Sequence, residues 1–194
     1  MGDVEAQDRR GSGGSDASHA DCRRVHGHEA RARCLPEPWM CDVFLVDGSL
    51  RDIRVLDVER ADWIAVLDHL RSVADVTEVE HPYAQLDPVR PAVADLFRAQ
   101  WDEPEGQGTN FAFRARFDGV WFCALPYDEE EIEFSLWPDD VVDGADVAAV
   151  LRFLTEVGTA CGRRVLLTGE TTRYHPNLPT LIHHDPTTGL SHGI

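Results

Sequence analysis

The residues best suited to catalysis or binding are carboxylates concentrated in one stretch of the chain. They are Asp128, Glu129, Glu130, Glu131, Glu133, Asp139 and Asp140, and Trp137 lies among them. Residues 102–146 hold 13 carboxylates and two arginines, a local net charge of −11. A carboxylate pair catalyses glycoside hydrolysis only in a pocket, where burial raises the pKa of one member. Consecutive acids on a polar turn lack that burial, so the pattern favours a binding surface.

A surface of this charge attracts a basic protein through long-range electrostatics and accelerates their association. We therefore predict that these seven acids and Trp137 bind a basic protein partner, with Trp137 as an aromatic anchor. Two simpler interpretations stay open. The acids could form a solvated turn and strand face, and the ring of Trp137 could pack over the helix that follows.

Histidines near the end of the sequence indicate an alternative, a metal-binding protein or a metal-dependent hydrolase. The candidate ligands are His175, His183 and His184, because imidazole is a common zinc ligand. Adjacent residues of a strand point to opposite faces, so only one of His183 and His184 could join a given site. No H-x-H, H-x-x-x-H or cysteine pair supports this region. We therefore expect no metal and no cofactor.

Signatures of the common enzyme classes are absent from the sequence. It contains no G-x-S-x-G, no G-x-G-x-x-G and no P-loop. All 18 basic residues are arginine, which removes every mechanism that depends on a lysine. Five cysteines, an odd number, favour reduced thiols in the cytoplasm. These features favour a non-enzymatic, cytoplasmic protein.

Charge and hydrophobicity exclude two classes of partner. The formal net charge of the chain is −17, whereas binding to a nucleic-acid backbone requires clustered basic residues. No apolar run reaches the roughly 18–20 residues that span a bilayer, so we expect no membrane partner. The absence of lysine and the presence of only two asparagines favour a GC-rich bacterial genome as the source of this composition.

Residues 1–39 differ in composition from the rest of the chain. They contain Gly11-Ser12-Gly13-Gly14-Ser15 and almost no large apolar side chain before Leu35. Such a segment cannot bury enough apolar surface to offset the entropy of ordering, so we predict a disordered N-terminal extension. Met40 precedes the first strand-like segment and is expected to be the true start. Residues 40–194 then form a single domain, with a loose C-terminal tail from about residue 185.

Hydrophobic periodicity divides this domain into strands and helices. Asp47-Gly48 and Asp118-Gly119 predict two hairpin turns. Apolar stripes predict helices over residues 59–73, 89–100 and 146–161. Asp57 is expected to cap the first helix, Asp143 or Gly144 to cap the last, and Gly162 to end it. Strands are predicted over residues 41–47, 51–56, 111–117, 120–125, 131–136, 165–167 and 180–183, and residues 76–79 could form another.

The order of these elements predicts an α+β fold. The order ββα-α-βββα-β implies a mainly antiparallel sheet built from β-hairpins, with two or three helices packed on one face. In a simple meander, the strand at residues 120–125 would separate Arg114 and Arg116 from Glu131 and Glu133.

Three segments carry a resemblance to known proteins: FLVDGSLRDI, DVERADWIAVLDHL and, at the end of the acidic hairpin, EIEFSL. Their style and order resemble those of small acidic bacterial α+β proteins, some of which are toxin-neutralising immunity proteins. The resemblance covers about residues 40–170 and implies a neutraliser of a basic toxin. A homodimer formed through the sheet face around Trp121 or Trp137 is compatible with this function.

Overall fold

The computed structural model describes residues 34–103, 110–171 and 179–192 of the chain. In this part the α-helices are α1 (Pro38–Val43), α2 (Arg60–Val73), α3 (Val93–Phe97) and α4 (Gly144–Cys161). A π-helical turn (Arg98–Asp102) continues α3. The strands are β1 (Arg51–Leu56), β2 (Val76–Glu80), β3 (Ala112–Phe117), β4 (Val120–Ala124), β5 (Glu131–Leu136), β6 (Val165–Gly169), β7 (Thr180–Asp185) and β8 (Gly189–His192).

All eight strands join one antiparallel sheet in the order β2-β3-β4-β5-β1-β6-β7-β8, which confirms the predicted α+β class. Helices α2 and α4 pack against the apolar face of this sheet. Phe153 of α4 lies at the centre of the core and stacks on Phe122 of β4, with 3.8 Å between the ring centroids. No helix in the described ranges is long and apolar enough to cross a membrane.

The period-2 pattern of β3, β4 and β5 places apolar side chains against the helices and polar ones on the opposite face, which we call the polar face. In β5, Ile132 and Phe134 are buried in the core, whereas Glu131 and Glu133 lie on the polar face. The hairpin at Asp118-Gly119 is confirmed, with φ angles of 49° and 100° that suit a tight turn. Strand β4 separates β3 from β5, as the meander predicted.

The first predicted hairpin is wrong. Residues 41–43 end α1, which Pro38 begins at a position where its fixed φ favours a helix, and residues 44–50 form no strand. The Arg51 guanidinium binds the carbonyl oxygens of Val43 and Leu45, at 2.6 and 2.8 Å. Strand β1 therefore has no local partner and lies between β5 and β6, near the middle of the sheet.

Helix and tail boundaries required further corrections. Glu59, not Asp57, caps α2, in a capping box with Asp62. Helix α3 begins at Val93 rather than at residue 89, after Ala92 in an extended conformation. The predicted loose tail from residue 185 is wrong as far as residue 192, because a turn after Asp185 leads into β8.

The residues predicted to begin and end the last helix were correct. Asp143 caps α4 by accepting hydrogen bonds from the Ala145 and Asp146 amides, and Gly162 ends the helix with φ at 66°. The predicted boundary at residue 39 falls inside α1. Leu35 packs against the core, and the Cys34 amide donates to the Val142 carbonyl oxygen at 2.7 Å. Residues 1–33, the rest of the predicted N-terminal extension, lie outside the described residues.

Candidate functional site

Strand β5 divides the predicted partner-binding residues into two groups. Asp128, Glu129, Glu130 and Glu131 lie at its beginning, and Trp137, Asp139 and Asp140 follow its end. Six strand residues span about 20 Å, so the two groups face opposite ends of the sheet. Of the second group, only Asp139 is exposed, while Trp137 and Asp140 are half-buried. The structure therefore does not assemble the predicted set into one surface.

Arg54 removes Glu131 and Glu133 from the surface available to a partner. This arginine lies on the polar face of β1, directly opposite Glu133, and it is fully buried. Its Nη1 binds Glu131 and lies 2.8 Å from Glu133 Oε2, while its Nη2 lies 2.9 Å from Asp52 Oδ2. Because both glutamates already contact a buried cation, they form part of the framework rather than a docking surface.

The surroundings of Arg54 contain an excess of negative charge. Burial raises the pKa of Glu133 to about 7, and repulsion from Asp52, Glu131 and Glu170 adds to this effect, although attraction to Arg54 opposes it. The Glu133 carboxyl is therefore partly protonated near neutral pH. We call Asp52, Arg54, Glu131 and Glu133 the Arg54 cluster, and its chemistry is the reversible binding of a proton.

Arg114 does not reach this cluster. It lies on β3 and forms ion pairs with Glu80 at 3.3 Å and Glu78 at 3.8 Å, both on neighbouring β2. Arg116 lies 5.5 Å from the centre of the Trp121 ring, which is half-buried on β4. At this side of the sheet, the arginines of the polar face thus contact carboxylates or a ring of the neighbouring strands.

The first group of predicted acids belongs to a larger surface. We use the name acidic rim for six carboxylates from three separate segments, Asp57, Glu59, Asp102, Asp128, Glu129 and Glu130. The Val58 amide donates to the Glu130 carbonyl oxygen at 3.0 Å, which holds the segment after β1 against the segment before β5. The Trp63 indole Nε1 donates to the Asp128 carbonyl oxygen at 3.1 Å.

Arg60 is the cation that joins the third segment to the acidic rim. It lies 2.8 Å from Asp102 and 2.6 Å from Glu129, and its guanidinium is 5.3 Å from the centre of the Trp101 ring. These contacts raise the pKa of Arg60, and the hydrogen bond from Arg60 lowers the pKa of Asp102. The positive charge of Arg60 is consequently shared by two of the six acids.

Four carboxylates of the acidic rim remain outward-facing. Asp57, Glu59, Asp128 and Glu130 are all exposed. Within the described ranges, none of the four forms an ion pair. Two of them serve local structure, because Glu59 caps α2 and Asp128 Oδ1 accepts a hydrogen bond from the Glu130 amide at 2.8 Å. A cation could approach all four from solvent.

Tyr127 is an aromatic residue of this surface that sequence reasoning missed. Its side chain is 58 % exposed, and it directly precedes Asp128. Its neighbour Pro126 is fixed by Gln100 of the π-helical turn, whose amide Nε2 donates to the Pro126 carbonyl oxygen. The sequence pattern between β4 and β5 gave no sign that this ring would be exposed. Tyr127 is thus an exposed aromatic side chain beside these acids, whereas Trp137 is half-buried.

The histidines do not converge in the described structure. His184 is buried in the apolar layer against α4, whereas its neighbour His183 is half-buried and lies on the polar face, as the strand pattern predicted. His175 lies outside the described residues. In the part of the chain that the structure covers, no group of three or more His, Cys, Asp or Glu side chains could hold a metal ion.

Comparison with known proteins gave no relative: no family model, no curated protein and no solved structure matches the chain.

Proposed function

We propose that the protein is a non-enzymatic interaction protein that binds a basic protein partner through the acidic rim. The observation that carries this proposal is that Arg60 binds Asp102 and Glu129, while the other four carboxylates of the acidic rim and the neighbouring Tyr127 are exposed. Opposite charge on a partner would increase the rate of association and select against acidic competitors. A tyrosine ring supplies rigid apolar contact area together with a hydroxyl group.

The local backbone supports a binding role for the acidic rim. Trp101 and Asp102 belong to the π-helical turn, an irregularity that is frequent at functional sites. Gln100 and Arg60 hold this turn against the segment before β5, through the Pro126 carbonyl oxygen, Asp102 and Glu129. A surface fixed in this way loses little conformational entropy when a partner binds.

The resemblance noted in the sequence suggests that the partner is a toxin. A toxin that acts on nucleic acid must itself present clustered basic groups to hold phosphates, and such groups would be complementary to the acidic rim. A gene for a large secreted protein with a basic C-terminal domain, adjacent to the gene for this chain, would identify the candidate toxin. Coexpression of the chain should then protect cells from that domain.

A binding measurement tests the surface itself. The probe is an arginine-rich peptide, compared with the same peptide in which citrulline replaces arginine. We expect the double variant Asp128→Asn, Glu130→Gln to weaken binding of the arginine peptide by about two- to thirtyfold at low salt, because the two exposed pairs contribute roughly 0.2–1 kcal/mol each. The citrulline peptide should not bind measurably.

The matched control removes the same charge elsewhere. Asp68 of α2 and Asp139 are both exposed and lie outside the acidic rim. The double variant Asp68→Asn, Asp139→Asn should change affinity less than about twofold. Equal weakening by both double variants would show that only net charge matters, and would reject the acidic rim as the binding surface. Light scattering on the same samples reports whether the protein is a monomer or the predicted homodimer.

A further inference from the structure

His184 lies in a tight apolar site at one side of the sheet. It is 6 % exposed, and its ring fills the space beside Gly158 of α4. A Cβ atom placed on Gly158 would lie 2.5 Å from His184 Cδ2 and 3.0 Å from its Nε2. Val165 of β6 is the strand neighbour of His184, and Leu190 of β8 is its partner on the other side.

Neither ring nitrogen of His184 has a hydrogen-bond partner among the described residues. Helix α4 presents the backbone of Gly158, β6 presents Val165 and β8 presents Leu190, none of which carries a charge. Among the residues that the structure describes, the Asp185 carboxylate, next in sequence, is the charge that favours the protonated ring. It is half-buried and already accepts hydrogen bonds from Thr187. A neutral imidazole fits this site, but an imidazolium would be a buried cation with two unsatisfied N–H donors.

Strands β7 and β8 lie together at one end of the sheet. Strand β7 pairs with β6 and β8, and β8 is the edge strand. The register of the β6–β7 pair shifts between Leu167 and Thr168, so this ladder is interrupted. Trp63 of α2 and Phe153 of α4 pack against Phe134 of β5, a strand that does not pair with β7 or β8. We call β7 and β8 the C-terminal hairpin.

We propose that protonation of His184 releases the C-terminal hairpin from α4 and β6. In the open state water can hydrate the imidazolium, so proton binding and opening favour each other. Opening would leave β6 as an edge strand, with a row of backbone amides and carbonyls free to pair with another strand. The hairpin thus acts as a cover for β6 that weak acid removes.

The direction of the His184 pKa agrees with this geometry. Burial lowers it from the ordinary value of 6.5, since the charged form loses its hydration in the closed state. The unfolded or opened chain binds a proton more tightly than the closed one, so opening becomes easier as the pH falls below about 6.5.

Amide hydrogen exchange of the full chain tests the proposal. After correction for intrinsic exchange rates, amides of the C-terminal hairpin should exchange at least fivefold faster at about pH 5 than at about pH 7.5. Amides of β3 and β4 should change less than twofold. His184→Asn keeps a polar planar side chain that does not titrate, and it should abolish the acid-induced acceleration. His183→Asn, on the opposite face, should leave the acceleration intact.

Uniform acceleration across the sheet, or an unchanged acceleration in His184→Asn, would overturn the proposal. Should that variant fail to fold, an NMR titration of the wild-type His184 ring tests whether its protonation is coupled to opening of the C-terminal hairpin. The ring resonance and the β7 amide resonances must then shift together as the pH falls. Protonation of the ring with no change at the β7 amides would contradict the coupling.

Discussion

The imidazole of His184 and the bare Cα of Gly158 occupy one shared space between β7 and α4, where a Cβ atom at position 158 would meet the ring at 2.5 Å. A glycine inside a helix normally costs about 1 kcal/mol relative to alanine. Here the absent side chain is what allows the helix and the strand to approach each other, so packing outweighs helix propensity at this position.

We therefore predict that Gly158→Ala lowers the free energy of unfolding by about 1–3 kcal/mol, despite the better helix propensity of alanine. Urea denaturation measures the change. Thr159→Ala is the matched control, because Thr159 is the next residue of α4 and is exposed. It should be neutral or slightly stabilising. Stabilisation by Gly158→Ala would show that the ring moves aside without cost.

A double-mutant cycle isolates the contact between these two residues. His184→Ala alone should destabilise the protein by leaving a cavity. Once that ring is removed, Gly158→Ala should cost at least 1 kcal/mol less than it does in the wild-type protein, because the new methyl group enters the vacated space. Additive costs would show that the two positions do not interact.

The raised pKa of Glu133 predicts a stability change in the neutral range. The carboxyl titrates at about 7 in the folded protein and at about 4.5 when exposed, so the folded state holds the proton more tightly. Its contribution to stability is full below about pH 4.5 and is lost as the pH rises through 7. Glu133→Gln stays neutral, so relative to wild type it should gain about 1–3 kcal/mol between about pH 4.5 and pH 8.

The control for this prediction is Glu130→Gln, which removes an exposed carboxyl directly before the first residue of β5. Its stability relative to wild type should stay constant over the same pH range. The comparison is made by urea denaturation at each pH, so the titration of His184, common to all three proteins, cancels. A flat difference for Glu133→Gln would mean that the folded protein does not hold this proton.

Arg54 is expected to be the most sensitive charge of the sheet. Arg54→Met keeps much of the volume but leaves Asp52, Glu131 and Glu133 without their cation. We expect a loss of about 3–5 kcal/mol near pH 8, where Glu133 is ionised, and a smaller loss near pH 5, where Glu133 holds its proton. Arg152→Met, at an exposed arginine of α4, should cost less than about 1 kcal/mol at both pH values.

Local patterns in the sequence predicted those parts of the fold that local interactions determine. Alternation predicted β3 and β5, the apolar stripe predicted α4, and Asp143 and Gly162 set its two ends. The apolar run at residues 43–46 was ambiguous, because a short run fits a helix end as well as a strand. Its assignment to a strand gave β1 a false local partner.

Because the pairing of β1 with β5 was not predicted, the sequence did not indicate which acids lie near Arg54. Arg54 and Glu131 are 77 residues apart in the sequence, and only the pairing of β1 with β5 brings them together. The same pairing places Asp57 beside Glu130. Arg60 also brings together Asp102 and Glu129, which lie far from it and from each other in the sequence. Composition could locate the acidic stretch, but it could not distinguish the acids bound to Arg54 from those that face solvent.

Gln100 connects the π-helical turn to the acidic rim and gives a prediction about binding without a change of charge. Its side chain is buried, donates to the Pro126 carbonyl oxygen and accepts a hydrogen bond from the Phe111 amide at 3.2 Å. Gln100→Leu leaves both backbone groups unsatisfied and should cost about 2 kcal/mol of stability. Because Pro126 precedes Tyr127, this variant should also increase amide exchange across residues 127–130 and weaken binding of the arginine-rich peptide.

Gln85→Leu, at an exposed glutamine, is the control for Gln100→Leu and should change neither amide exchange nor peptide binding. Full binding by a destabilised Gln100→Leu protein would show that partner recognition does not require the rigid loop, and that charge alone sets the affinity.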